Sequence, residues 1–468
     1  MNKYLAIILT VLYGTEVQAI QLAPRLVVNI TIDQLRSDYM EAFSPLFNAN
    51  GFRRLVNQGT VFEAASYPFT PVDRASAIAT LSTGTSPYYN GIISTRWLDR
   101  NTLRPVFCVD DPQHYASPSR LMTSTIGDEL KVSTHGAAIV WSIAATREAA
   151  ILAAGHAANG ALWIDEKTNQ WKSSTYYTTT TSEWLKGYTN INADFSDNKQ
   201  LTNDIVTKMA IQAVSSCAMG HDEVSDMLCV TLSATKPTGY VTNWQTEMES
   251  VYLQLDNTLG QLISGIENLV GAQHVLFVVT STGYADEGYT DLSQYRIPTG
   301  TFYINRTANL LNMYLSAIYG QGRYVETCYK NEMFLNHKLL EQKRAGISEV
   351  LSRSQEFLVQ NAGVADVYTT ERLLNGNNDI LKLRNGFNPT LSGDIIIEVA
   401  PGWQLLNEDT QETFTSRAGF VPFPVIFFGA GTKAERITTP ITVDRIAPTI
   451  AKSIRIRAPN ACSSEPLF

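Results

Sequence analysis

Short runs of apolar residues alternate along this chain with longer segments of helical periodicity. Six of the runs have the length of buried strands: Arg25–Ile32, Ala137–Ile143, Met227–Leu232, His274–Val279, Asp394–Val399 and Pro424–Gly429. Because these runs are almost uniformly apolar and lie between helical segments, they are typical of parallel strands that are covered on both faces. The pattern therefore predicts an α/β fold, with a mainly parallel central sheet between two layers of helices.

The pattern also indicates a long helix and an inserted subdomain. The apolar positions of Thr246–Val270 recur at spacings of three and four, so one face of this helix should pack on the sheet. Residues 299–374 change to Tyr- and Asn-rich segments around a charged helical stretch, which is typical of a smaller cap inserted into a larger core. A shorter insertion is predicted at residues 160–197, and the core is expected over residues 20–298 and 375–468.

The composition is that of an ordinary globular protein with a large core. The chain has 468 residues, of which 44% are hydrophobic and 10% are aromatic. Its net charge of −8 argues against nucleic acid as the main partner, because a protein that binds this polyanion normally presents a basic face. The five cysteines are scattered and form no metal-binding motif.

The N-terminus has the three parts of a secretory signal peptide. Lys3 supplies a positive charge, residues 5–12 form a short apolar stretch, and a small-residue exit ends at Ala19. An apolar stretch of this length is too short to cross a bilayer, which needs about 20 residues. We therefore expect residues 1–19 to be removed, and the mature protein to be exported to the periplasm or envelope of a bacterium.

The most informative segment is Ser66–Arg100, which reads SYPFTPVDRASAIATLSTGTSPYYNGIISTRWLDR. It matches the nucleophile loop of a known enzyme family, without a gap, at Phe69, Pro71, Ala79, Thr83-Gly84, Pro87 and Gly91-Ile92. In these positions the chain resembles alkaline phosphatases of the phosphodiesterase and nucleotide pyrophosphatase-like branch. The resemblance implies an alkaline phosphatase-like α/β sandwich, two zinc ions and a nucleophilic Thr. That nucleophile falls on Arg74, whose guanidinium stays protonated and cannot attack phosphorus.

The zinc-ligand positions of the resembled family lie in loops that follow predicted strands. Ligands of parallel α/β sheets bind beyond the carboxyl ends of the strands, so these loops should carry the chemistry. The ligand positions hold the residues Asp33, Lys236, Tyr240, Thr282 and Gly283. Of this set only Asp33 matches the ligand type of the family. Residues 410–423, where the family has a further ligand His, contain no His.

The groups that stabilise the transition state in the resembled family are also replaced. The position of a family Asn holds Thr95, and a family triplet that contains Lys and Arg falls on residues 146–148, with Thr146 and Glu148 in place of the two cations. A shift of one residue would put Arg147 at the Arg position. Each zinc ion normally takes three or more protein ligands, so a single carboxylate cannot hold two metals. The sequence therefore predicts no zinc cofactor.

These replacements favour an exported pseudoenzyme that binds a protein partner or a small anionic ligand. The candidate binding residues are Asp33, Arg74 and Lys236, and the cap is a second candidate surface. Because a buried charge must be paired, we expect the side-chain cations of Arg74 and Lys236 to occupy the place of the metal beside Asp33.

Two alternatives remain open from the sequence. The first is an active metal-dependent phosphomonoesterase or phosphodiesterase that uses a non-standard nucleophile, such as Thr70 or Ser76. The second is a structural component of an envelope assembly. Turnover that is lost when the nucleophile is mutated would favour the first, and stoichiometric partners would favour the second.

Overall fold

The computed structural model describes residues 23–165, 167–177, 184–185, 199–235, 244–285, 296–415 and 421–468. Its strands are β1 Leu26–Asp33, β2 Thr60–Ser66, β3 Arg96–Asp99, β4 Arg104–Phe107, β5 Asp110–Asp111, β6 Tyr115–Ala116, β7 Val140–Ala144, β8 Gly160–Asp165, β9 Gln170–Lys172, β10 Asp226–Ser233, β11 Val275–Ser281, β12 Gly300–Tyr303, β13 Val325–Tyr329, β14 Glu332–Leu335, β15 Val364–Thr369, β16 Ile395–Val399, β17 Trp403–Asn407, β18 Glu412–Thr415, β19 Phe423–Gly429, β20 Glu435–Ile437 and β21 Ile441–Thr442. Its helices are α1 Ser37–Phe43, α2 Phe52–Gln58, α3 Arg74–Thr83, α4 Pro87–Asn90, α5 Ile126–Ser133, α6 Arg147–Ala154, α7 Lys199–Ser216, α8 Trp244–Val270, α9 Ile304–Tyr319, α10 His337–Lys343, α11 Ile347–Leu358, α12 Thr370–Asn375, α13 Leu381–Gly386 and α14 Ile446–Ser453.

Ten of the described strands form one large sheet, in the order β20-β2-β19-β11-β1-β10-β7-β8-β9, with β21 beside β2. Strand β1 lies in the middle and pairs in parallel with both β10 and β11. Strand β19 is antiparallel to β11 and to β2. All eight residues of β1 are buried, as expected for a strand with helices on both faces. The predicted α/β fold with a mainly parallel sheet is therefore confirmed.

The two faces of the sheet carry separate apolar clusters. On one face, Leu255 and Leu259 of α8 pack in the cluster that contains Val28 and Ile30 of β1. On the other face, helices α3 and α6 pack in the cluster that contains Val27. The predicted helix Thr246–Val270 is confirmed as most of α8, whose apolar positions face the sheet. The described residues contain no helix that is both long and apolar enough to span a membrane.

Two strands belong to a different sheet from the one that the sequence predicts. The run Asp394–Val399 forms β16, but β16 pairs with β14 and β15 in a separate four-stranded sheet. Conversely, β8, at the start of the predicted insertion 160–197, pairs in parallel with β7 in the large sheet. Hydrophobic runs of strand length look alike in a sequence, and only long-range hydrogen bonding decides which sheet each joins.

The cap consists of the four-stranded sheet, a three-stranded sheet of β12, β17 and β18, and helices such as α9 and α11. It has its own apolar core, to which Leu311, Leu315 and Val350 contribute. Because β16, β17 and β18 pair with cap strands, the inserted unit continues to residue 415 instead of ending at residue 374. The sequence had placed residues 375–415 in the core, whereas the strands of this segment pair with strands of the cap.

A buried carboxylate, Asp394, ties the cap to the core. Arg100, in the turn between β3 and β4, donates to both Asp394 oxygens at 3.1 and 3.2 Å. The Leu335 backbone N–H donates to the same carboxylate at 2.7 Å, and His337 Nε2 lies 2.9 Å from it. Burial by itself raises the pKa of Asp394, but the His337 hydrogen bond and the Arg100 charge outweigh burial and lower its pKa. The carboxylate is therefore held ionised between two subdomains.

We expect Asp394→Asn to lower the free energy of unfolding by about 1–3 kcal/mol, because hydrogen bonds from charged donors lose their ionised acceptor. Urea unfolding at neutral pH measures this change. Asp379→Ala is the matched control, since Asp379 is an exposed carboxylate on the cap that bonds only to the neighbouring Asn377 side chain among the described contacts. An equal loss in both variants would contradict a special role for Asp394.

Candidate functional site

The carboxyl ends of the three central strands bring the predicted chemistry to one edge of the large sheet. Asp33 is the last residue of β1 and pairs in register with Ser233, the last residue of β10. Thr282 directly follows β11. Helix α3 begins with Arg74 at the same edge, where its guanidinium reaches Asp33. This is the edge at which ligands of open α/β sheets bind.

Asp33 is fully engaged by its neighbours. Its side chain is 1% exposed. The Oδ2 atom accepts hydrogen bonds from Arg74 Nε at 2.9 Å and from Arg74 Nη2 at 2.7 Å. The Oδ1 atom accepts one from the Thr282 hydroxyl at 2.9 Å, and that hydroxyl in turn accepts the Gln34 backbone N–H at 2.9 Å. Both carboxylate oxygens therefore have donors, which offsets the cost of burying the charge.

A second carboxylate meets the same guanidinium. Glu148, in the first turn of α6, accepts a hydrogen bond from Arg74 Nη1 at 3.0 Å, and its side chain is 7% exposed. Burial by itself lowers the pKa of Arg74. The electrostatic interactions with Asp33, Tyr284 and Glu148 raise this pKa by more than burial lowers it, so it lies above the usual value. Arg74 is therefore a permanent cation between two buried carboxylates, and the three groups together carry one net negative charge.

A capping box between Asp73 and Ser76 stabilises the N-terminus of α3, which begins at Arg74. The Asp73 carboxylate accepts the Ser76 backbone N–H at 3.0 Å, and Ser76 Oγ accepts the Asp73 backbone N–H at 3.0 Å. The other Asp73 oxygen accepts a hydrogen bond from the Thr95 hydroxyl at 2.8 Å, so the residue at the family Asn position is also bound to the N-cap residue of α3. Ser76 is fully buried inside the helix, and its hydroxyl donates to Asp73. Ser76 is therefore excluded as a nucleophile.

Thr70, the other candidate nucleophile, is a half-buried residue. It lies in the loop between β2 and α3, which is tied to the carboxyl edge by the hydrogen bond from the Tyr67 hydroxyl to Ser281 O at 2.9 Å. The Thr70 backbone N–H donates to Lys382 O of the cap at 3.0 Å. Its half-buried side-chain hydroxyl has no hydrogen-bond partner among the described residues. Thr70 thus places a free hydroxyl where the cap meets the core.

The charged side chains of residues 147 and 148 point in different directions. Glu148 points to Arg74, whereas Arg147 pairs with Asp110 at 2.9 Å and lies over the Phe107 ring at 4.4 Å from its centroid. Arg147 therefore does not face Asp33 and Arg74 directly. The Thr146 hydroxyl is buried and has no hydrogen-bond partner within the described part of the chain.

Two predicted positions, Lys236 and Tyr240, lie outside the described residues.

Gly283 has a positive φ of 65°, and a Cβ there would lie 2.6 Å from the rings of Tyr67 and Phe423. Only glycine fits this conformation and this space, so position 283 has a structural requirement and offers no metal ligand.

Lys330 is a residue near the site that sequence reasoning missed. It lies between β13 and β14 of the cap, and its Nζ donates to Ser94 Oγ at 3.0 Å. Ser94 directly precedes Thr95, whose hydroxyl donates to Asp73, the N-cap residue of α3. No sequence signal connects positions 94 and 330, because only the docking of the cap brings them together.

The described residues do not fit the two zinc ions that the resemblance implies. They contain no group of three or more His, Cys, Asp or Glu side chains placed to bind one metal ion. The Asp33 oxygens that would face a metal already accept hydrogen bonds from Arg74 and Thr282. A permanent cation in contact with both Asp33 and Glu148 would also repel a divalent ion.

His156 forms a second histidine–carboxylate pair, in the core, with the buried Asp128. Its Nδ1 lies 3.1 Å from Asp128 Oδ2, and its Nε2 lies 3.1 Å from Leu121 O. The Asp128 hydrogen bond raises the pKa of His156 above 6.5. Burial raises the pKa of Asp128, but hydrogen bonds from His156 and from backbone N–H groups outweigh burial and lower it. Between the lowered pKa of Asp128 and the raised pKa of His156, the two side chains therefore form a pair of an anion and a cation.

We expect the stabilisation by His156 to be greatest just below pH 6.5 and to fall as the pH rises through the higher pKa of the folded protein. The lowered pKa of Asp128 makes its own contribution disappear only in stronger acid, below its normal value of 3.8. The difference in urea stability between the wild type and His156→Asn should thus be larger at pH 5.5, below the normal His pKa, than at pH 8.5. His135→Asn, at an exposed position, is the control and should show no such trend. A pH-independent difference for His156→Asn would contradict this assignment.

The comparisons with known proteins agree with the geometry of the fold. The family model described as type I phosphodiesterase / nucleotide pyrophosphatase matches residues 27–420. The chain is 25% identical to alkaline phosphatase PhoV of Synechococcus elongatus, over 93% of this chain and 91% of that protein. It is 27% identical to a protein of Myroides odoratus named calcium-transporting ATPase, over 95% of this chain and 94% of that protein.

A solved structure has the same fold. The crystal structure of wild-type alkaline phosphatase PafA matches with a TM-score of 0.81 and 22% identity, over 95% of this chain and 98% of the other. In sequence, the PafA of Elizabethkingia meningoseptica is 23% identical over 95% of this chain. The resemblance seen in the loops is therefore confirmed across the whole chain.

The prediction of an inactive protein that acts by binding a partner or an anionic ligand is wrong by these comparisons, since relatives that match nearly the whole chain are named alkaline phosphatases. That prediction took the loss of the family nucleophile, of most zinc ligands and of the groups that stabilise the transition state as the loss of hydrolysis. Phosphoryl transfer depends mainly on positioning and on charge stabilisation, which side-chain cations also supply. With a family model that covers residues 27–420, this chain belongs to the type I phosphodiesterase / nucleotide pyrophosphatase family.

Proposed function

We propose that this chain hydrolyses phosphate esters at the edge where Asp33, Arg74 and Glu148 meet, with a nucleophile other than the residue at position 74. The observation that carries the proposal is the family match over residues 27–420, which contains every residue of this edge. The alkaline phosphatase names of similar relatives support the same reaction class. No step is assigned to zinc, because the described residues do not fit that cofactor.

Arg74 is the group that would hold the phosphoryl oxygens. Three of its five N–H donors serve Asp33 and Glu148, and the other two have no hydrogen-bond partner among the described residues. The side chain is 29% exposed, so these donors are accessible to a substrate. Guanidinium donors that stabilise charge on a transferring phosphoryl group are a main source of catalysis in such reactions.

Thr70 is the proposed nucleophile. Its hydroxyl oxygen would form a bond to phosphorus while the bond from phosphorus to the leaving oxygen breaks, and the hydroxyl proton would go to the departing alkoxide. Water would then attack the phosphorylated threonine, restore the hydroxyl and release the phosphate product. The position of Thr70 in the loop before α3, its half-buried state and the lack of a hydrogen-bond partner for its hydroxyl among the described residues support this role.

The charge of the site favours one ester class. Arg74 carries one positive charge against the two carboxylates of Asp33 and Glu148, so a dianionic phosphomonoester meets more repulsion than a monoanionic phosphodiester. We therefore propose a phosphodiester as the better substrate.

Hydrolysis of bis(p-nitrophenyl) phosphate and of p-nitrophenyl phosphate by the purified protein tests the proposal, with EDTA and with added zinc. We expect release of nitrophenolate in EDTA, with the higher kcat/KM for the diester. The absence of turnover in both conditions would overturn the proposal. Turnover that occurs only with zinc would overturn the zinc-free reaction and place the catalytic residues elsewhere.

We also infer that the protein is exported to the bacterial periplasm or envelope. Residues 1–19, which carry the signal-peptide pattern, lie outside the described residues. The charged start, the short apolar stretch and Ala19 at its exit support the inference. N-terminal sequencing of the protein from a periplasmic fraction should begin at Ile20, whereas an uncleaved chain retained in the cytoplasm would refute export.

A further inference from the structure

Two buried carboxylates converge on one point of the sheet edge from distant parts of the chain. Asp33 ends β1, and Glu148 lies in the first turn of α6. Their side chains are 1% and 7% exposed, so water does little to screen them. Like charges in such a place repel each other and require a cation between them.

The Arg74 guanidinium supplies that cation with a good geometric fit. It donates two hydrogen bonds to Asp33 Oδ2, at 2.9 and 2.7 Å, and one to Glu148 Oε1, at 3.0 Å. A planar guanidinium presents several donors in fixed directions, so it can bridge two carboxylates as a bound metal ion would.

The surroundings hold the carboxylate of Asp33 independently of Arg74. The Thr282 hydroxyl donates to Oδ1, and the Ala234 backbone N–H donates to Asp33 O at 2.9 Å. Strand β1 is hydrogen-bonded on both sides, to β10 and β11. Asp33 should therefore keep its position when the guanidinium is removed.

We propose that the Arg74 guanidinium is the permanent cation of this centre in place of a divalent metal, and that its removal opens a site for one divalent cation between Asp33 and Glu148. Carboxylate and hydroxyl oxygens are ligands that suit hard ions such as Mn²⁺ and Mg²⁺. Two carboxylates without their guanidinium would be the strongest local attraction for such an ion. This inference does not depend on the proposed hydrolysis, because its readouts are stability and metal content.

The wild-type protein gives the first test. We expect the same thermal midpoint in EDTA and in MnCl₂ or ZnCl₂, and close to zero metal per chain by elemental analysis after metal loading and desalting. A midpoint that falls in EDTA, or one or two metal ions per wild-type chain, would overturn the proposal.

The variants give the second test. Arg74→Ala and the more space-filling Arg74→Gln should gain thermal stability when Mn²⁺ is added, by a few degrees at about one hundred times the dissociation constant. Arg74→Lys, which keeps a cation, should not respond. Addition of Asp33→Asn to Arg74→Ala should remove the response.

Folded Arg74→Ala and Arg74→Gln proteins that ignore Mn²⁺ would overturn the proposed site. So would a response that survives Asp33→Asn, since the ion would then bind elsewhere. If neither variant folds with or without Mn²⁺, the opened site is contradicted, because the ion was expected to replace the lost charge.

Discussion

Replacement of Thr70 by alanine should lower kcat/KM for bis(p-nitrophenyl) phosphate by about a thousandfold or more, since removal of a nucleophile usually abolishes nearly all catalysis that depends on it. The fold should be unaffected, because the Thr70 hydroxyl makes no hydrogen bond within the described part of the chain. Steady-state kinetics in EDTA measures the change, and thermal unfolding checks that the variant is folded.

Two further variants distinguish a nucleophile from a positioning residue. Thr70→Ser keeps a hydroxyl at this position and should retain much of the turnover. Thr432→Ala removes a hydroxyl bound to Gly429 O at 2.9 Å, at the opposite edge of the sheet, and should leave kcat/KM unchanged. Full activity in Thr70→Ala would eliminate Thr70 and leave bound water as the attacking group.

Replacement of Arg74 by alanine in chelated buffer should lower the free energy of unfolding by about 3–5 kcal/mol, because it leaves two buried carboxylates without their cation. Asp33 is 1% exposed and Glu148 is 7% exposed, so solvent cannot compensate for the loss. Urea unfolding at neutral pH measures the effect.

A matched arginine separates this burial effect from the loss of any ion pair. Arg306 pairs with Glu408 at 2.7 Å on the cap surface, where its side chain is 65% exposed, and Arg306→Ala should cause little change. Addition of Asp33→Asn to Arg74→Ala should restore part of the stability, because one of the uncompensated charges is gone. An equally small effect for Arg74→Ala and Arg306→Ala would contradict the proposed dependence of this centre on the Arg74 charge.

The sequence by itself determined the framework of the protein. The run at β1 is rich in Leu, Val and Ile, which predicted a central strand buried on both faces, and the spacing of leucines in α8 predicted the face that packs on the sheet. The loop Ser66–Arg100 placed Arg74 at the family nucleophile position and brought the chain to its family. These features depend on local periodicity and local residue order, which a sequence displays directly.

The tertiary structure alone decided how those residues act together. It added Glu148 to the contact of Arg74 with Asp33, paired Arg147 with Asp110, and brought Lys330 of the cap to Ser94. It also placed β16 in the cap and β8 in the large sheet. Each of these pairings joins residues far apart in the chain, and its energy depends on burial and on directed hydrogen bonds that exist only after the chain has folded.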